Sequence, residues 1–133
     1  MPKEVKKIKN GELFAMKESF NDLMMLELPT LTGLQVVRLL KAIGNQIDGI
    51  NEVRNKLILK YGEKQENGNV TLTGPGDPDG KPLSPNWDKF TEEHDELMNG
   101  DTVVEFERVV LPKDSKVPVK TLFAFESFIE VAA

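Results

Sequence analysis

Residues 40–61, Leu-Lys-Ala-Ile-Gly-Asn-Gln-Ile-Asp-Gly-Ile-Asn-Glu-Val-Arg-Asn-Lys-Leu-Ile-Leu-Lys-Tyr, decide the fold of this chain. Leu40, Ile43, Ile47, Ile50, Leu57 and Tyr61 recur at steps of three, four or seven. A helix repeats every ~3.6 residues, so these side chains form one continuous stripe that demands a partner surface. The pattern describes a scaffold, not a reactive site. Upstream, Thr32 and Gln35 have capping-box spacing, in which the threonine hydroxyl accepts from a free backbone N–H while the glutamine reaches back; Thr30 is an equal alternative. Downstream, Gly62 suits the left-handed conformation that ends many helices. One long helix is therefore predicted from about Thr30 to Tyr61.

Towards the N-terminus, Leu13, Met16, Phe20 and Leu23 keep helical spacing, Phe14 and Met24 widen the stripe, and Pro29 closes it. The short link at Leu28-Pro29 predicts that this helix lies antiparallel to the long one, each covering the other's apolar face. Ahead of it, residues 5–8 read as a strand, and Asn10-Gly11 punctuates the chain before the helical pattern begins. Lys3, Lys6, Lys7 and Lys9 read as the charged surface of an edge strand, where lysine discourages wrong pairing. Arg54 interrupts the long stripe between Val53 and Leu57. Three readings stand open: its stem lies along the core with the head in water, it meets an internal acid, or it waits for a partner's carboxylate. The stripe drifting onto Val53 is a further way to absorb the interruption.

Towards the C-terminus, residues 63–84 change character. Asn67-Gly68-Asn69 marks a turn, Val70 and Leu72 suggest one weak strand, and the run Gly74-Pro75-Gly76-Asp77-Pro78-Asp79-Gly80-Lys81-Pro82 forbids regular structure. Asp77-Pro78-Asp79-Gly80 shares letters with a calcium loop but lacks its further acids and terminal glutamate, so a turn with aspartates accepting backbone N–H groups is the expectation. Ser84-Pro85 reads as a helix start. Trp87, Phe90, His94 and Leu97 then recur at helical spacing up to Asn99-Gly100, with Glu92, Glu93, Asp95 and Glu96 as a solvated acidic face. Residues 102–111 alternate as a single half-buried strand ended by Pro112, residues 113–119 connect, and Leu122, Phe125, Phe128 and Ile129 predict a final amphipathic helix whose aromatic residues seal the core, with a neighbouring subunit as the alternative partner for part of the row.

The 133 residues, 39% hydrophobic, fit a single domain (1–133), divided into strand plus helical hairpin (5–62), exposed turn and loop (63–84), and helix, strand and terminal helix (85–133). The fold class expected is α+β: an antiparallel helical hairpin packed with a small antiparallel β element and two shorter C-terminal helices. A net charge of -5 works against attraction to nucleic acid, and no direct nucleic-acid binding is expected. Without cysteine there is neither a disulfide nor a thiolate metal site. Lys9, Asn10 and Glu12 interrupt any signal-peptide core, and no run reaches the ~20 apolar residues of a membrane span, so a cytoplasmic setting without membrane contact is expected.

Chemistry is sparsely represented. His94 is the only histidine, Ser19, Ser84, Ser115 and Ser127 have no base in sequence register, and no phosphate loop or nucleophile elbow is present. The reading assigns no catalytic, cofactor-binding or metal residue and no cofactor, and it takes the chain as a non-enzyme. The order Lys9-Asn10-Gly11-Glu12-Leu13, Leu28-Pro29, then Arg54 followed by Leu57-Ile58, Lys60-Tyr61-Gly62-Glu63, Asn67-Gly68-Asn69 and a closing Phe128-Ile129-Glu130 resembles a group of small tailed-bacteriophage proteins of uncharacterised function. That resemblance implies a phage origin, an α+β build and no catalytic residues to carry over. The functional expectation is an interaction protein: a virion-associated structural or assembly component contacting itself or other virion proteins, or alternatively an acidic inhibitor of a host or anti-phage defence factor.

Overall fold

A computed structural model describes residues 3–132, so Met1, Pro2 and Ala133, the ends of the expected domain, lie outside it. Strand β1 (Glu4–Lys9) runs into helix α1 (Asn10–Met16), which a 3₁₀ turn at Lys17–Ser19 separates from α2 (Phe20–Met24). Helix α3 (Thr30–Tyr61) follows, then β2 (Glu63–Lys64), β3 (Val70–Thr71), α4 (Trp87–Asn99), β4 (Asp101–Phe106), β5 (Val109–Leu111), α5 (Val119–Phe125) and β6 (Ile129–Val131). The described residues mix helix and strand as an α+β fold does, with three two-stranded sheets among them: β1 with β4 and β2 with β3 antiparallel, β5 with β6 parallel.

Helix α3 is the axis of the core. Val36, Leu39, Leu40, Ile43, Ile47 and Ile50 are buried along it, while Leu57 and Tyr61 are half-buried, so the stripe is deepest in its first two-thirds. Each fully buried side chain of this size contributes roughly 1.5–3 kcal/mol of gross transfer free energy. α1, α2, α4, β4 and β5 all lie against α3. The helix starts without either threonine acting as a cap: Pro29 in extended geometry precedes Thr30, and its carbonyl accepts from Gly33 N–H at 2.9 Å. Proline supplies a fixed entry angle and has no N–H of its own to satisfy. Gly62 is likewise not left-handed but extended (φ -79°, ψ 173°), because the chain passes directly into β2. Its need for glycine is spatial, since a Cβ there would lie 2.6 Å from both Ile58 O and Val70 Cγ1.

The N-terminal rod expected as one helix is two short ones. The chain changes from strand to helix at Asn10, the punctuation expected there, and the residue does more than punctuate: it begins α1, its N–H donates to Gly100 O at 2.8 Å, its Nδ2 donates to Leu97 O at 2.8 Å, and its Oδ1 accepts from the Thr102 hydroxyl. One buried amide thus ties α1 to the end of α4 and the start of β4, a long-range role that local turn statistics do not carry.

The C-terminal third departs most from expectation. The single strand at 102–111 breaks at Glu107-Arg108, where burial shifts phase: Val104 and Phe106 face the core before the break, Val109 and Leu111 after it. The break lets the chain leave β1 and take a new partner. Arg108 holds the corner, donating from Nε and Nη2 to the two Glu4 carboxylate oxygens at 2.9 and 3.1 Å and from Nη2 to Ser127 O at 3.0 Å. Hydrogen bonding to Glu4 raises the Arg108 pKa above its ordinary value. The final helix stops at Phe125, and Phe128 and Ile129 lie beyond it: Phe128 N–H donates to Phe125 O at 2.8 Å, and Ile129, Glu130 and Val131 form β6 on β5. Strand pairing there satisfies backbone groups that a longer helix would have left against the sheet edge. Phe128 then meets Phe106 edge to face, with ring centres 4.6 Å apart.

Candidate functional site

The residues that the sequence singles out for chemistry are dispersed. Ser84 does not start α4. It is buried, its hydroxyl donating to Glu63 Oε1 and accepting from Thr73 N–H, both at 2.7 Å, and its N–H donates to Thr73 O at 3.0 Å. The helix begins later, at Trp87. Ser84 thus ties the feet of the 73–84 loop to β2, and Trp87 closes over Gly74, where a Cβ would meet the indole at 2.8 Å. Within that loop, Asp77 Oδ2 accepts from the N–H groups of Asp79 (3.1 Å) and Lys81 (2.9 Å), the backbone-bonded turn expected of these aspartates. Ser19 is buried in the 3₁₀ turn between α1 and α2, Ser115 lines a surface groove, and Ser127 offers its carbonyl to Arg108.

His94 and Arg54 meet where α1, α3 and α4 come together. The imidazole lies against Phe90, ring centres 5.3 Å apart, and the Arg54 guanidinium sits 5.8 Å over the Phe14 ring. Burial first, and then the nearby Arg54 charge, hold His94 below its ordinary pKa, with Asp95 opposing weakly. Arg54 is half-buried over an aromatic face while Val53 is 45% exposed, so the stripe does not drift onto Val53. A guanidinium over a ring gains about 0.5–1 kcal/mol at a site of this exposure. Glu92, Asp95 and Glu96 are exposed, but Glu93 turns inward: its Oε1 stands 3.7 Å from Lys60 Nζ and its Oε2 is buried with no partner among the described residues. The acidic face therefore comprises three carboxylates. Among the described residues no cluster of three or more His, Asp or Glu has the arrangement to hold a metal ion.

The surface carries both mixed and apolar relief, and a hollow lined by Lys3, Gln35, Arg38, Glu105 and Glu107 lies beside Leu39 and Phe106. A groove of about 660 Å³ runs between the α2–α3 link (Met25, Leu28, Pro29) and the segment after β5 (Pro112, Ser115, Lys116). At α5, Val119 and Phe123 are each 68% exposed, one helical turn apart, while Thr121 and Phe125 of the same helix are fully buried. Two shallow hollows flank Phe123. One, about 370 Å³, includes Ile8, Glu12, Ala15 and Glu126; the other, about 310 Å³, includes Val119, Leu122, Glu126 and Ile129. The sequence reading took the aromatic row of the last helix as core, with a neighbouring subunit as the alternative partner for part of it, and did not include Phe123. The signal available was its offset by two positions from Phe125, which on a helix points about 200° away.

No helix of the described residues is long and apolar enough to cross a membrane. Comparison with protein-family models, with curated proteins and with solved structures gave no match to this chain.

Proposed function

We propose that this chain is a non-enzymatic interaction protein of a tailed bacteriophage, a virion-associated structural or assembly component working through protein–protein contacts. The observation that carries the reading is the inversion of α5, which buries the hydroxyl of Thr121 and turns the phenyl ring of Phe123 to solvent. A helix that only sealed the core would be expected to do the reverse, because exposing a large aromatic forfeits roughly 1.5–3 kcal/mol of burial. An exposed apolar ridge rimmed by polar residues is the ordinary signature of a protein contact. The resemblance to small phage proteins supplies the biological setting, the host cytoplasm during infection and then the particle. In this reading α1 and α2 against α3 form the helical hairpin that keeps the contact surface rigid.

The exposed carboxylates Glu92, Asp95 and Glu96 on α4 favour a second reading, an acidic inhibitor of a host or defence factor. Mass spectrometry of gradient-purified particles separates the two. A virion component is found in the particles at a fixed copy number, and an inhibitor stays in the soluble fraction bound to a host protein. Absence from particles together with turnover of a small molecule that a point substitution abolishes without unfolding would overturn both.

A further inference from the structure

We propose that the α5 face is the contact between two copies of this chain, with the two α5 helices antiparallel about a two-fold axis beside Phe123. The inference rests on the interaction reading above and names its partner. The first support is shape. Phe123 is both a projecting ring and a wall of two hollows of about 370 and 310 Å³. A cavity of about 150 Å³ already holds benzene, so the hollow beside one Phe123 accepts the Phe123 of a second copy, and two-fold symmetry makes the exchange mutual. Val119, exposed on the same side of the helix, extends the apolar strip.

The second support is charge. An antiparallel pair centred on residue 123 brings the residue three positions before it on one copy level with the residue three positions after it on the other. Those residues are Lys120 and Glu126, both exposed, and Glu126 keeps helical geometry (φ -54°, ψ -29°) just past the end of α5. The two-fold repeats this opposition at the other end of the contact, so that each lysine lies level with a glutamate diagonally across the Phe123 seam. A parallel arrangement would bring lysine level with lysine and glutamate with glutamate. The same surface therefore complements itself in relief and in sign, in the antiparallel sense only.

Sedimentation velocity of the full chain over a wide concentration series tests this. The wild type is expected to dimerise, and Phe123→Asp to weaken the dimer by at least about 30-fold, the scale of an interfacial aromatic anchor. Circular dichroism should be unchanged, since the ring is 68% exposed in the single chain. Lys120→Glu and Glu126→Lys should each weaken dimerisation by roughly three- to tenfold, and the double exchange should restore it. A wild type that stays monomeric, a dimer indifferent to Phe123→Asp, or a double exchange that fails to restore affinity would overturn the proposal. A monomer found in purified particles would do so while leaving the interaction reading standing. A dimer missing from both particles and host complexes would keep the contact and remove the reading.

Discussion

Helices α3 and α5 use the same helical geometry to opposite ends. Over its first two-thirds α3 turns one periodic line of aliphatic side chains inward, from Val36 to Ile50, and the core forms around that line. Over seven residues α5 buries Thr121 and Phe125 and exposes Val119 and Phe123. A long helix can average many weak preferences into one buried face, whereas a helix of two turns takes its orientation from its neighbours. For α5 those neighbours are fixed at both ends by β5 and β6, which pair in parallel and set where the crossover must lie. The comparison shows which part of the molecule is specified by pattern and which by tertiary context.

The largest effect should come from breaking the α3 line. Ile47 is essentially inaccessible, and Ile47→Asp places an unpaired carboxylate among Ile43, Ile50 and their partners. A loss of more than about 5 kcal/mol is expected, enough to unfold a domain at the lower end of ordinary stability, and loss of the helical circular dichroism signal would register it. Retention of a native spectrum would show that α3 is not the organising element. Next in size is a contrast inside the C-terminal segment. Phe128→Ala should cost about 3–5 kcal/mol by denaturant melt, from the cavity and the lost edge-to-face contact with Phe106. Phe123→Ala should change single-chain stability by no more than about 0.5 kcal/mol. Equal costs would dissolve the distinction between a core aromatic and a surface one five residues away.

The inward position of Thr121 sharpens the same comparison. Its Oγ1 is buried with no partner among the described residues, so the hydroxyl is a cost that valine, of similar shape, would remove. Thr121→Val should raise stability by about 1 kcal/mol, read as a higher denaturation midpoint. A decrease would mean that the hydroxyl is bonded in solution.

Legibility in the sequence followed the length of each pattern. α3 was readable to the residue at its C-terminal end because a stripe over many turns leaves little choice of phase; the end of α4 at Asn99-Gly100 was readable for the same reason, while its start was placed too early, at Ser84-Pro85. What could not be read was set by contacts distant in sequence. Asn10 looks like local punctuation until Leu97 and Thr102 arrive to bond its amide. Ser84-Pro85 looks like a cap until Glu63 and Thr73 claim the hydroxyl. The 102–111 run looks like one strand because a phase shift of one residue at Glu107-Arg108 is invisible without knowing that Glu4 and Ser127 wait for the arginine. The candidate contact face was hidden for a related reason: Phe123 sits in an apolar run, and only the buried Thr121 tells which side of that run faces out.

The smallest expected effect probes the other helix that α3 supports. His94 on α4 has its pKa held below the ordinary 6.5, by burial first and by Arg54 second. In the unfolded chain the imidazole titrates near its ordinary value, so between that value and the lower folded one the unfolded state binds more protons. The stability that neutral His94 contributes is therefore complete above about pH 6.5 and is lost as the pH falls through 6.5 towards the folded pKa. His94→Gln should flatten this part of the stability–pH curve relative to wild type, which isolates the histidine's contribution. Arg54→Gln should raise the His94 pKa without removing the whole depression, because burial is the leading cause. As the chain's only histidine, His94 gives a single assignable imidazole resonance, and its NMR titration measures the folded pKa directly. A folded pKa at or above 6.5 would mean that the α3–α4 contact is open to water, and would place α4 with the context-dependent part of the molecule instead of the part specified by pattern.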